Sequence, residues 1–190
     1  MVASLHPLVT AALASLFVCA LAAPLHAQER MSKESVATLK AAFTADLQTM
    51  QDKYLALAQA FPQEKYTWRP MDGVRSVAEV LMLAAFEGYS FIPTSWGGKP
   101  ADLGPREEAN KLRTLSDKAQ VIEHLKKGFA HAKAQLDALD PATFTGTRKV
   151  FNQERSAADV AMFVGGDLHE HLGQLIAYAR MNQIVPPWSK

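Results

Sequence analysis

Residues 156–181 read SAADVAMFVGGDLHEHLGQLIAYARM, and this stretch decides the fold. Val160, Val164, Leu168, Leu172 and Leu175 recur at the three- and four-residue steps that put side chains on one face of an α-helix. Ser156 opens the helix as its cap, with Asp159 three residues later, and the pattern runs to about Met181. At ~100° per residue, His171 falls on the apolar stripe and Asp167 lies one turn earlier on the same side. His169 is two positions from His171 and points to nearly the opposite side. The His-Glu-His triplet therefore cannot supply two ligands to one mononuclear site on a regular helix, and His169 reads as a surface residue.

Three further helical stretches precede this one. Residues 33–60 carry Val36, Leu39, Phe43, Leu47, Met50, Tyr54 and Leu57 at helical spacing, with no Gly or Pro until Pro62 stops the run. Ser76-Val77-Ala78-Glu79 is a capping box, so a second helix starts at Ser76 and extends to about Phe91, with Pro93 ending it. Ser116 and Asp117 cap a third helix that continues to about Ala138, before Asp140-Pro141. Long, turn-rich connections separate these helices, and Thr143–Gly146 has hairpin or loop character without a convincing strand pair. Four long amphipathic helices predict an all-α four-helix bundle, its connections gathered at the ends where a site can form. Trp68, Trp96 and Trp188 lie in connections or the tail, placed to plug those ends or to line a ligand cleft.

The N-terminal 28 residues contain no Lys, Arg, Asp or Glu, and residues 8–23 are an apolar run followed by Pro24. That run reads as the core of a signal peptide, cleaved after Ala27, leaving residues 28–190 as one domain. No basic n-region precedes it, so an uncleaved anchor is the rival reading. Cys19 follows Phe17-Val18, where a lipoprotein signal would have small residues. Cleavage predicts a secreted, periplasmic protein with no stable membrane insertion. Since the single cysteine lies in this segment, the mature chain has neither disulfide nor thiol nucleophile. A net charge of +1 gives no footprint for nucleic acid.

Several residues qualify as chemistry-bearing. His171 on the core face reads as a buried imidazole satisfied by a neighbour, as a metal ligand, or as an acid–base group. Asp167 beside it needs a partner, because an unpaired charge near a core is costly. On the second helix Glu79, Leu83 and Glu87 follow one another at i, i+4 steps. Glu87 reads either as surface charge near a helix end or as a group reaching a site between helices. His124 and His131 share a side of the third helix about 100° from its apolar centre, which reads as a solvated face.

Trp68-Arg69-Pro70 with residues 73–81, GVRSVAEVL, resembles the entry to the second helix of the DinB-like four-helix proteins. The likeness continues in residues 171–182, HLGQLIAYARMN, and in Ile184-Val185-Pro186-Pro187. It implies an up-down-down-up bundle, frequent homodimers, and a divalent metal held by three histidines, one from the second helix and an H-x-x-x-H pair from the last. Carried over by position, His171 is the second of the pair, Asp167 stands where the first would be, and Leu83 occupies the second-helix position. Asp ligates metals and Leu does not. A rearranged divalent site of His171, Asp167 and Glu87 would suit a harder ion than the family's usual zinc or nickel; a lost site is the other reading.

Three functions follow as expectations. The first is a secreted metal-assisted hydrolase or transferase acting on an unidentified small molecule. The second is a non-catalytic module that binds a small molecule or protein after losing the metal site. The third is a structural or interaction role, for example as a dimer through a helix face.

Overall fold

The computed structural model describes residues 31–189. The expected leader, residues 1–27, and its cleavage point lie outside the described residues. Helix α1 (Lys33–Ala60) starts at Ser32, whose hydroxyl accepts from the Ser35 amide at 3.1 Å. It buries Val36, Phe43, Leu47, Met50, Tyr54 and Leu57, and stops just before Pro62. Helix α2 (Val77–Phe86) begins with the expected reciprocal cap between Ser76 and Glu79. Helix α5 (Lys118–Ala138) is capped by Asp117, and α6 (Ala157–Met181) by Ser156 with Asp159. Between α2 and α5 lie the short helices α3 (Ile92–Ser95) and α4 (Arg106–Leu112).

The four long elements pack in the ring α1, α6, α2, α5. Consecutive long helices, α1 with α2 and α5 with α6, therefore sit on the diagonals. This is why their connections are long: each must cross an end of the bundle. The all-α four-helix bundle is the architecture the helical stripes predict.

Proline does not end the second helix as expected. Residues 87–91 form a π-helical segment, in which the Ile92 amide donates to the Glu87 carbonyl five residues back, and α3 continues the same rod through Pro93 to Ser95. A proline inside an α-helix lacks a donor and crowds the carbonyl four residues earlier. Here that carbonyl belongs to Tyr89, and the Ala101 amide satisfies it at 2.7 Å. The widened turn and the returning loop together let the rod pass its proline. By length and composition the rod Val77–Ser95 is apolar enough to cross a membrane, yet 72% of its most apolar stretch is buried inside the bundle. A helix buried all round is apolar all round.

Two other expectations change. The loop after Trp96 contains α4, and residues 148–155 form a small antiparallel hairpin, β1 (Arg148–Val150) and β2 (Gln153–Arg155). Phe151 and Asn152 make its two-residue turn with φ of 47° and 62°. That geometry matches the twist of a hairpin but normally employs Asn or Gly. For Phe151 the left-handed backbone costs about 1–2 kcal/mol. Arg148 donates to the Trp96 carbonyl, and the Arg155 guanidinium lies over the Phe163 ring at 4.0 Å, so both strands are pinned to the bundle.

The second helical rod presses closely on α5. A Cβ on Gly88 would overlap the backbone of Gly128, and one on Gly128 would overlap the Ala85 carbonyl. Gly128→Ala is therefore expected to destabilise by about 3 kcal/mol through forced separation of the helices. For a domain of this size that is a fall of roughly 10 °C in Tm, measurable by thermal unfolding.

Candidate metal centre

The second rod and α6 run antiparallel where they meet: Phe91 touches Phe163, and Glu87 lies opposite Asp167 and His171. Glu87 opens the π-helical segment, while Phe163, Asp167 and His171 follow at one-turn intervals along α6. The His171 Nε2 lies 3.5 Å from Glu87 Oε1 and 3.8 Å from Asp167 Oδ1. One donor atom from each of the three residues falls within 4.8 Å of the other two. Side-chain exposure is 5% for Glu87, 14% for His171 and 35% for Asp167. The group therefore has a buried floor and a partly open side.

Glu87 is not the surface charge that its place near a helix end suggested. Burial, then the negative charge of Asp167 and a hydrogen bond to it, push its pKa up to about 9, with Arg75 opposing. Its Oε2 is buried, and no N–H or hydroxyl donor of the described residues reaches it. A buried carboxyl oxygen with nothing to bind is costly unless a proton or cation compensates it. Donors about 2.1 Å from one ion lie roughly 3–4.2 Å apart, and the separations of 3.5 Å and 3.8 Å fall within that span. The residues present thus fit a divalent cation. Tyr54 adjoins the group from α1; its hydroxyl donates to the Leu168 carbonyl at 2.7 Å. Burial first, then the Glu87 and Asp167 charges, raise its pKa well above the ordinary tyrosine value.

The three donors open into a cavity of about 440 Å³ whose wall includes Arg75, Leu83, Ser90, Phe91, Thr94, Phe151 and Phe163. Leu83, at the position where the resemblance implies a histidine, is on this wall one turn before Glu87. The second helix still contributes a donor, displaced by one turn.

The other histidines are elsewhere. His169 faces α1, with its Nε2 3.1 Å from both carboxylate oxygens of Asp46. His124 and His131 are half-buried rather than fully solvated. The first shares a hydrogen bond with the Tyr89 hydroxyl at 3.0 Å, and the second meets the Lys99 carbonyl at 2.9 Å. Among the tryptophans, Trp96 is buried against Phe43 and Phe144, and Trp68 packs edge-on to Tyr178. Sequence reading missed Arg75, Tyr54, Phe151 and Phe163 as neighbours of the site. Phe163 lies one turn before Asp167 on the same side, so helical spacing could have found it. No periodic signal marks Phe151.

The sequence model of the DinB superfamily matches residues 46–175. The chain belongs to that superfamily, and the matched region contains all three donors. No curated protein matches the chain.

In the metal-free protein the folded state keeps a proton on Glu87 up to about pH 9, whereas the unfolded chain releases it near 4.5. This contribution to stability is complete below pH 4.5 and is lost as pH rises towards 9. The loss is bounded by one proton, about 1.4 kcal/mol per pH unit. Denaturant unfolding in chelator should show wild type losing stability relative to Glu87→Gln across that window.

Proposed function

We propose that this protein is a metal-dependent hydrolase or transferase acting on a small molecule in the groove between the second rod and α6. The observation that carries the reading is the buried Glu87 Oε2, reached by no N–H or hydroxyl donor of the described residues, beside Asp167 and His171 at the floor of a cavity large enough for a ligand. Glu87, Asp167 and His171 would hold the ion. When bound, it supplies Lewis-acid polarisation of a substrate oxygen and lowers the pKa of water. The chain's own residues do the rest. The rod holds Glu87 on its π-helical turn and α6 holds Asp167 and His171 one turn apart, which limits their movement. Phe91 and Phe163 shield one side from water. Arg75 contributes positive charge towards the opposite end.

Two carboxylates with one imidazole accept manganese or iron(II) as well as zinc. Metal binding must displace the proton that Glu87 holds, so affinity should rise with pH and uptake at pH 7 should release about one proton. Elemental analysis after reconstitution with zinc, nickel or manganese is expected to give close to one ion per chain. Glu87→Gln and His171→Ala should each weaken binding by about tenfold or more. Wild-type protein that stays empty in all three metals would sink the reading and favour the metal-free binding module that Leu83 suggests.

The uncharged, apolar N-terminal residues support export to the periplasm. Sequencing the N-terminus of exported protein is expected to start at Gln28; material retaining residues 1–27 would point to an anchor instead.

A further inference from the structure

The groove has a direction. One end is marked by the Arg75 backbone, whose carbonyl accepts from the Tyr178 hydroxyl at 3.0 Å near the end of α6. Towards the other end lie Phe91, Phe151 and Phe163, each within 5.9 Å of the other two by ring centroids. Phe91 and Phe151 are stacked, and Phe163 meets both edge-on. The donor group lies between the ends, since Leu83, Glu87 and Phe91 follow at one-turn spacing on one side and His171, Asp167 and Phe163 on the other.

Both ends carry features that the fold alone does not explain. The neighbouring arginines are engaged: Arg69 pairs with Glu79 at 3.2 Å, and Arg113 lies over the Phe86 ring at 3.9 Å. Arg75 makes no ion pair or ring contact of this kind among the described residues; its charge bears on Glu87 across the cavity that both line. Phe151 is 71% exposed on a left-handed backbone where Asn or Gly would sit without strain. Strained backbone clusters at ligand clamps and active sites, and here it meets exposed apolar surface at a cavity wall.

We propose that the groove recognises a small, elongated carboxylate with an aromatic or flat apolar end. The ring packs on Phe91, Phe151 and Phe163, the carboxylate meets Arg75, and the polar linkage between them lies beside Glu87, Asp167 and His171. A guanidinium binds a carboxylate through two parallel hydrogen bonds, and its single charge matches a monoanion better than a dianion. The placement of the linkage rests on the metal-dependent reading above; recognition of the two ends does not.

The test uses benzoylglycine, which has a ring, a central amide and a carboxylate, with N-methylbenzamide and N-acetylglycine as the two truncations. Calorimetric titration of the manganese-loaded protein is expected to show benzoylglycine binding about tenfold or more tightly than either truncation. Arg75→Gln should bring benzoylglycine down towards N-methylbenzamide. Phe151→Asn should bring it down towards N-acetylglycine while leaving Tm unchanged or higher. Equal affinities, no binding, or variants that weaken all three ligands alike would overturn the proposal. Metal content of the same samples separates the two readings. An ion without end-group preference removes only this inference. Preference for both end groups in protein that takes up no metal removes only the catalytic reading.

Discussion

A carboxyl group held inside a helical bundle needs a proton or a cation, and that constraint organises the centre of this protein. Glu87 sits on the second rod, buried, with one oxygen that no N–H or hydroxyl donor of the described residues reaches and with Asp167 facing it from α6. Alone, such a group costs stability. Beside Asp167 and His171 it becomes the floor of a donor set, and the pair of helices that carries the set also forms the walls of the cavity.

The backbone that holds Glu87 is itself a compromise. Pro93 would break a regular helix, so the turn beginning at Glu87 widens to five-residue hydrogen bonding and the loop at Ala101 returns to satisfy Tyr89. Gly88, next to the acid, lets the rod press onto α5 at Gly128. These features lock the rod against α5 on one side and leave its other side to face α6 across the groove. π-helical segments of this kind are frequent at functional sites because they redirect side chains without ending the helix.

The fold was largely legible in the chain. The stripes of α1 and α6, the caps at Ser76, Asp117 and Ser156, and the stop at Pro62 are local signals, and each acts where it is read. Pro93 misled because the donor that rescues Tyr89 comes from a loop, and no local rule sees it. The hairpin was missed because Phe151 and Asn152 are poor markers for a left-handed turn, and its strands are held by Arg148 and Arg155 reaching the bundle.

The site was legible only in part. Asp167 and His171 share a face at i, i+4, and that relation is fixed by helix geometry alone. Their convergence with Glu87 was one open alternative, because the relative rotation of two helices is set by packing across the whole core. Arg75 and Phe151 reach the groove only through the way the chain's connections return to the bundle ends. The sequence by itself determined which faces of which helices would be buried, since periodicity is a property of the backbone. Tertiary structure decided that a buried acid would face an Asp–His pair across a cavity, since contacts between distant segments depend on how the helices dock.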